Sequence, residues 1–576
     1  MDSTTIKRPQ RWDVPFWNES SEGSCLEMTE AEVERLESEV PLFRDMDKSR
    51  FPESTPLRGI LKNDARVRSF KKGDIVVRQG DYGNSAFLIL SGNLKVVLDH
   101  LDETLIGRKA PQKKSFFSAL AQLWSNPSQP EVRSLDRKDD GQAESRERHD
   151  VIFLQDVTVL IKDKRTALLK DGELFGEIAA LGRTPRTSTV VADTDAVLLE
   201  IRWQGLREIR LRSPEFKENV DRLYRERSLK SHLRETPMFR HLDDASLDAV
   251  AEATQFLTFG NFDWHASYSK LREASPAERM KNEPVVAVEG HYANGVYLVR
   301  SGFARLSESY NHGELTVSYL GRGQSFGLDE VAHNWRDNAQ IPFQRSLRAL
   351  GYVDVLFVPT AVMDRVVLPT MPKALMPSSP LRKTAHAGKA ENVEEKVIEP
   401  EMMEFLVERR FINGTATMII DMDRCTRCDD CVRACAATHD NNPRFVRHGP
   451  MNGNFMVANA CMHCQDPVCM IGCPTGAIHR DSAKGSVTIN DQTCIGCATC
   501  ANSCPYDNIQ MVAARRPSGI PFFDEATNQP IQKAAKCDLC GDQITGPACA
   551  NACPHDAMVR IDMRDTNRLA TWLERR

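Results

Sequence analysis

The chain has 576 residues, 27% of them charged and 41% hydrophobic, with a formal net charge of −5. That length predicts three or four domains, and the near-balanced charge excludes a polybasic nucleic-acid binder or an acidic tail. No apolar run approaches the roughly 18 residues of a membrane-spanning helix, so a cytoplasmic protein with no membrane span and no nucleic-acid partner is expected.

Residues 1–23 read as a flexible N-terminus, with neither an apolar leader core nor a twin-arginine leader, and with Trp12, Phe16 and Trp17 as docking aromatics. Cys25 stands alone in a polar segment and reads as an inert thiol. Thr29 with Glu32 makes a capping box that opens a helix to about Val40. An internal repeat follows. Val77-Arg-Gln79-Gly80-Asp81-Tyr82-Gly83-Asn84, running on to Ser91-Gly92, recurs as Val288-Glu289-Gly290-His291-Tyr292-Ala293-Asn294-Gly295, running on to Ser301-Gly302. The lead-in Pro41-Leu-Phe43-Arg44 recurs as Pro237-Met-Phe239-Arg240. Alternating apolar residues punctuated by glycines predict short strands and tight turns, hence a β-roll in each copy.

Residues 101–160 enlarge the first copy relative to the second. Within them, 129–150 is a mixed-charge run that reads as disorder, and Phe116, Phe117, Leu120, Leu123 and Trp124 share one face of a short helix. The first copy closes with Gly172-Glu-Leu-Phe175-Gly176-Glu177, then Pro185-Arg186-Thr187. This stretch resembles the phosphate-binding cassette of cyclic nucleotide-binding domains, as in catabolite activators and kinase regulatory subunits. The resemblance implies Arg186 as phosphate ligand, Glu177 as ribose ligand and Gly176 as backbone contact. Thr187 stands where cGMP-preferring relatives often carry threonine, so the implied ligand is cAMP or cGMP with a lean to cGMP. The physics agrees, because an anion prefers a helix N-terminus and a guanidinium pairs with phosphate oxygens through paired donors. An empty pocket in a retained β-roll is the alternative.

Ser213 and Pro214 open a helix carrying Phe216, Val220, Leu223 and Tyr224 on one side. The second copy departs from the cassette. It reads Ser325-Phe326-Gly327-Leu328-Asp329-Glu330, so Leu328 replaces the ribose glutamate, and an insertion precedes Arg345, which by its spacing to Asp354 matches Arg186. This copy is expected to be structural or to bind something else. Pro369, Pro372, Pro377 and Pro380 then mark a linker that stays polar to about Pro400. With the two halves separated by it, a ligand in the front half is expected to act on partner docking and to leave the back half's redox potentials unchanged.

The back half holds sixteen of the seventeen cysteines, in four groups of four. Cys425, Cys428, Cys431, Cys435 and Cys494, Cys497, Cys500, Cys504 read C-x2-C-x2-C-x3-C. Cys461, Cys464, Cys469, Cys473 read C-x2-C-x4-C-x3-C, and Cys537, Cys540, Cys549, Cys553 read C-x2-C-x8-C-x3-C. Pro474, Pro505 and Pro554 follow the last cysteine of three groups, whereas Ala436 follows Cys435. Three closely spaced thiolates wrap three corners of a [4Fe–4S] cube, and the fourth reaches the other cube in two-cluster ferredoxins. Zinc ribbons pair their ligands two and two, and disulfide scaffolds belong to short secreted chains. The cysteines therefore predict four [4Fe–4S] clusters with none left over.

Cys461-Met-His463-Cys464-Gln-Asp-Pro467-Val-Cys469, Cys494-Ile-Gly-Cys497-Ala-Thr-Cys500 with Cys504-Pro-Tyr506, and Lys536-Cys537-Asp-Leu-Cys540 with Gly546-Pro547-Ala-Cys549 carry a second resemblance. They are similar to the four-cluster iron–sulfur subunits of molybdopterin oxidoreductases, such as those of dimethyl sulfoxide reductase, polysulfide reductase and formate dehydrogenase. The resemblance implies that Cys425, Cys428 and Cys431 join Cys553, and that Cys537, Cys540 and Cys549 join Cys435. It likewise implies that Cys461, Cys464 and Cys469 join Cys504, while Cys494, Cys497 and Cys500 join Cys473. His463 reads as a hydrogen-bonding or packed turn residue, since thiolates already fill the sites.

No nucleophile elbow, Walker loop or dinucleotide fingerprint is present, so no catalytic residue is expected. The expected architecture is multidomain, a β-rich front half and an α+β ferredoxin-like back half. It comprises a flexible 1–23, cyclic nucleotide-binding domain 24–235, a degenerate copy 236–366, a linker 367–400 and a double bacterial-ferredoxin-like four-cluster domain 401–576. The expected function is electron transfer as a subunit of a larger oxidoreductase, with a molybdopterin or flavoprotein subunit as redox partner and a cyclic mononucleotide as regulator. Two alternatives stand beside it: a redox- or gas-sensing signalling scaffold, and β-rolls that are ligand-free docking domains.

Overall fold

A computed structural model describes residues 5–7, 25–26, 28–97, 164–182, 185–224, 229–261, 264–271, 274–311, 313–377, 398–439, 441–482, 484–491, 493–515, 519–541, 543 and 546–574. The docking aromatics Trp12, Phe16 and Trp17 and the insertion face around Phe116 lie outside them. Among the described residues no helix is long and apolar enough to cross a membrane.

In the front half, helix Glu30–Glu39 starts where Thr29 accepts a hydrogen bond from the Glu32 amide at 3.2 Å, and ends at Val40. Two sheets follow. One is five-stranded and built around Ser85–Ser91 and Ala196–Arg202; the other is four-stranded and contains Ile75–Val77, Thr189–Ala192, Leu94–Val97 and Thr166–Leu169. Their inner faces bury Phe87, Ile89, Leu94, Phe175, Val190 and Leu198. Ser213 accepts from the Phe216 amide at 3.2 Å and caps helix Pro214–Tyr224, which buries Phe216, Val220 and Leu223.

A second antiparallel unit spans Gln255–Pro359, with long strands Gly295–Tyr310 and Ser346–Pro359 paired side by side. It repeats the turn contacts of the first. Gly80 N–H donates to Arg186 O at 2.8 Å and Arg186 N–H to Asp81 O at 2.7 Å; Gly290 N–H donates to Phe343 O and Phe343 N–H to His291 O, both at 2.9 Å. Tyr82 bridges Pro185 just as Tyr292 bridges Pro342. Phe343, and not Arg345, therefore occupies the place of Arg186. Counting back from Asp354 fails because the match of Asp195 is Tyr352, nine residues after Phe343: a Cβ on Gly92 would meet Asp195 O just as one on Gly302 would meet Tyr352 O.

The back half has a four-stranded sheet in which Thr417–Asp421 lies between Phe455–Val457 and Met558–Ile561. Three two-stranded ribbons and short helices carry the cysteines. Residues 1–23 are not wholly loose, since Thr5–Ile6 runs parallel to Phe523–Asp524 and satisfies an edge that would otherwise be unpaired.

The two halves do not stand apart. One continuous core joins Val33, Leu57, Trp203, Leu206 and Phe216 of the front half to Val468, Ile471, Cys473 and Cys500 of the back. Another joins Phe303, Tyr319 and Leu350 to helix Pro400–Glu408, Phe411 and Trp572. Arg410 lies over Trp264 and Tyr268, 4.3 Å and 5.1 Å from their ring centroids. Tyr319 Oη donates to Met563 O at 2.6 Å. The proline-marked linker thus leads into a second contact surface, because apolar faces on both sides of it are large enough to meet. Arg202, 1% exposed, pairs with Asp64, 0% exposed, and also donates to Thr475 O in the back half. Asp64→Ala would leave that buried guanidinium without its counter-charge, a loss worth about 3–5 kcal/mol. The expected result is a lowered thermal transition in the cluster-loaded chain; a transition at the wild-type temperature would show the pair to be dispensable.

Candidate metal centres and ligand pocket

Each cysteine group is built the same way. The residue before the second cysteine takes a left-handed backbone in all four: Arg427 (φ 60°), His463 (φ 50°), Gly496 (φ 65°) and Leu539 (φ 62°). That kink folds the loop so that successive sulfurs face one side. Only Gly496 needs to be glycine, since a Cβ there would lie 1.7 Å from Gln532 O. The third cysteine begins or enters a helix: Asp430–Thr438, Val468–Ile471, Thr499–Ser503 or Ala548–Asn551. The three that precede a proline are one turn long, while Asp430–Thr438 runs on past Cys435 because Ala436 does not stop it.

The sulfurs converge across groups. Cys425, Cys428, Cys431 and Cys553 line one cavity, and Cys473, Cys494, Cys497 and Cys500 line another. Burial, then the nearby Cys549, Cys537 and Cys540, pushes the Cys435 thiol up to about 12. Burial and the neighbours Cys461, Cys469 and Cys504 push Cys464 well above the thiol range. Burial followed by Cys473, Cys494 and Cys497 drives Cys500 to about 12. Four thiols packed together in a dry site oppose one another's ionisation. Bound iron relieves that conflict by taking all four as thiolates, so these donor sets fit [4Fe–4S] clusters.

Backbone donors reach the sulfurs as well. Arg444 N–H donates to Cys435 Sγ at 3.2 Å, and Asn508 N–H to Cys504 Sγ and Ala557 N–H to Cys553 Sγ both at 3.4 Å. Cations lie beside the cysteines and would offset the negative charge of thiolate clusters. Arg560 donates to Cys537 Sγ at 3.2 Å and to Cys461 O at 2.9 Å. Lys536 donates to Cys537 O at 3.1 Å. Arg480, 3% exposed, donates to Cys464 O and Gln465 O, each at 2.6 Å. Sequence reasoning missed Arg480 and Arg560; nothing in their local sequence marks them, because they reach the sites from strands beyond the motifs. His463 is held neutral by burial and then by the charges of Lys536, Arg560 and Arg480, and its Nδ1 accepts from Val487 N–H at 3.1 Å.

In the front half, Arg186 is buried beneath the cassette. Its Nη1 donates to Gly176 O at 2.7 Å and its Nη2 to Ser85 O at 2.6 Å. Burial lowers its pKa to about 10, against the pull of Glu200, Glu177 and Asp81, so the guanidinium is charged at neutral pH. Gly176 has φ 78°, and a Cβ there would sit 2.4 Å from Arg186 Nη1. Glu177 opens helix Glu177–Gly182 and is buried, while Thr187 is exposed. In the second unit Gly327 keeps its left-handed backbone, but Phe343 closes on it, within 2.9 Å of a Cβ built there. Phe343 packs with Tyr297 and Phe326, ring centroids 6.3 Å and 4.9 Å away. Arg345 points outward, 42% exposed and 3.9 Å from Glu308. Among the described residues, Phe343 thus fills the place that Arg186 holds in the first unit.

The family described as a 4Fe-4S dicluster domain matches residues 453–563, and the cyclic nucleotide-binding domain family matches residues 151–213. The chain is 35% identical over 173 residues to the electron transport protein HydN of Escherichia coli strain K12, covering 28% of this chain and 95% of HydN. It is 31% identical over 166 residues to the beta subunit of the NADH-dependent phenylglyoxylate dehydrogenase of Aromatoleum evansii, covering 27% of this chain and 33% of that subunit. Among solved structures, the regulatory domain of Toxoplasma gondii PKA with cAMP is 14% identical and covers 61% of this chain and 94% of that one, at a TM-score of 0.20, too low to carry an argument. The front half is thus a cyclic nucleotide-binding β-roll fold, and the back half a ferredoxin-like 4Fe-4S domain.

Proposed function

Because the chain belongs, through its cysteine-rich part, to the family of ferredoxin-type 4Fe-4S electron transport proteins that includes HydN, we propose that it is a four-cluster electron-transfer subunit regulated by a cyclic mononucleotide. The observation that carries this reading is the convergence of cysteines from different groups, Cys553 onto Cys425, Cys428 and Cys431, and Cys473 onto Cys494, Cys497 and Cys500. When bound, the clusters supply one-electron transfer between a partner's redox cofactor and a second donor or acceptor. The chain's own residues hold the sulfurs in quartets, offset their charge with Arg480, Lys536 and Arg560, and donate amides to Cys435, Cys504 and Cys553. The partner is an oxidoreductase subunit carrying molybdopterin or flavin, in the cytoplasm, where thiolates persist. In the front half, Arg186 is the anchor for a cyclic phosphate, Glu177 takes the ribose, Gly176 supplies a backbone contact, and Thr187 tilts the preference toward cGMP. The second unit, with Phe343 and Leu328 in place of arginine and glutamate, serves as a structural wedge against the back half.

Anaerobic purification of the full chain with its native partners, followed by mass spectrometry and cluster spectroscopy, tests the reading. The expected result is a cofactor-bearing oxidoreductase subunit whose substrate reduces or oxidises the clusters. Recovery of a nucleotide cyclase instead, with clusters that respond only to oxygen or nitric oxide, would favour a signalling scaffold.

A further inference from the structure

The nucleotide pocket and one set of cysteines meet at one short segment of the first β-roll. The segment Gly80–Ser85 runs along the edge of the first β-roll. On its inner side Gly80 N–H donates to Arg186 O at 2.8 Å, Asp81 O accepts from Arg186 N–H at 2.7 Å, and Ser85 O accepts from Arg186 Nη2 at 2.6 Å. On its outer side the same segment grips the ribbon Ile478–Arg480 and Val487–Ile489 of the back half. Tyr82 N–H donates to Ser482 O at 2.9 Å, and Asn84 Nδ2 donates to Arg480 O at 2.8 Å. The Tyr82 ring covers Gly485, where a Cβ would lie 2.3 Å from it, and the Arg480 guanidinium sits 5.1 Å from that ring's centroid. The guanidinium then donates to Gly485 O at 2.7 Å and forks onto Cys464 O and Gln465 O. Cys464 is one of the four thiols that Cys461, Cys469 and Cys504 complete.

We propose that Arg480, clamped between Tyr82 and the Cys464 and Gln465 carbonyls, is a positioning residue through which occupancy of the first β-roll shifts the potential of the cluster at Cys461, Cys464, Cys469 and Cys504. This rests on the reading of Arg186 as phosphate anchor and of these cysteines as a cluster site. A phosphate on Arg186 competes for the Nη donors now given to Gly176 O and Ser85 O. Release of Ser85 O frees the end of the segment that holds Asn84 and Tyr82 against Arg480. A buried cation beside a cluster favours the more negative, reduced state, and the protein around a cluster sets its potential through charge and hydrogen bonds. The contact is direct and buried, so salt does not screen it as it would across a linker.

The test is potentiometric titration of the full, cluster-loaded chain followed by electron paramagnetic resonance, with and without cAMP or cGMP, and with binding measured by calorimetry on the same samples. The cluster concerned is the one whose signal is lost in Cys464→Ser. Nucleotide should shift that signal's midpoint and leave the other three in place. Tyr82→Leu should bind nucleotide and lose the shift. Without ligand, Arg480→Gln should lower that midpoint, and Arg480→Lys, which keeps the charge and loses the fork, should hold it nearer wild type while losing the nucleotide response. Binding with no shift, or a wild-type midpoint in ligand-free Arg480→Gln, would overturn the inference while leaving the nucleotide reading intact. Absence of binding by either nucleotide would overturn the nucleotide reading and the switch with it, and the ligand-free variants would still decide whether Arg480 sets the potential.

Discussion

Serine at Cys425 and serine at Cys553 are expected to remove the same cluster signal, although the two cysteines stand at opposite ends of the cysteine-rich region. Both line one cavity with Cys428 and Cys431. Helices Asp430–Thr438 and Ala548–Asn551, which carry Cys431, Cys435 and Cys549, belong to groups far apart in sequence, and Cys549 and Cys553 are among the neighbours that help burial push Cys431 up to about 11. A serine oxygen is a poor substitute for a thiolate at iron, so either change should destroy or convert that cluster and spare the other three. Cys435→Ser should instead fall on the cluster shared with Cys537, Cys540 and Cys549. Spectra in which Cys425→Ser and Cys553→Ser lose different signals would refute the cross-group pairing.

Arg186→Ala is expected to abolish nucleotide binding. The guanidinium donates to the cassette carbonyl Gly176 O and to Ser85 O from a buried position. A buried cyclic phosphate deprived of it loses charge-assisted hydrogen bonds worth about 1.5–3 kcal/mol, which is about ten- to hundredfold in affinity. Gly176→Ala should weaken binding as well, because its left-handed backbone and the 2.4 Å approach of Arg186 Nη1 leave no room for a methyl group. Affinity should be flat across neutral pH and fall only as pH rises through about 10, where Arg186 loses its proton. Calorimetry on the full chain reads all three. Heat from cAMP or cGMP that survives Arg186→Ala would place the ligand elsewhere.

The cysteine spacing made the metal chemistry legible, because a thiolate set at x2, x2 and x3 intervals has few other uses. The repeat was legible too, since glycines at Gly80 and Gly290, and at Gly92 and Gly302, mark turns with positive φ in both copies. The exact match within the repeat was not. Arg345 stands nine residues before Asp354, but the match of Asp195 is Tyr352, and nine residues before it stands Phe343. The shared aspartate was a false landmark, two positions out of step with the fold. The left-handed residues Arg427, His463 and Leu539 carried no signal either, because only Gly496 shows the residue type that such a backbone favours. Least legible was the meeting of the two halves. Arg202 with Asp64, Tyr82 with Arg480, and Arg410 with Trp264 are ordinary residues in sequence. Their roles arise only when surfaces from distant segments are laid together, and a proline-rich stretch between two domains says nothing about whether the domains touch.

Four clusters held by sixteen thiolates are tested most directly by counting iron and acid-labile sulfide on the anaerobically purified full chain. The expected content is about sixteen of each per chain, following the four-thiolates-per-cube rule. Stoichiometric zinc with little iron, or iron and sulfide near half that number, would contradict it.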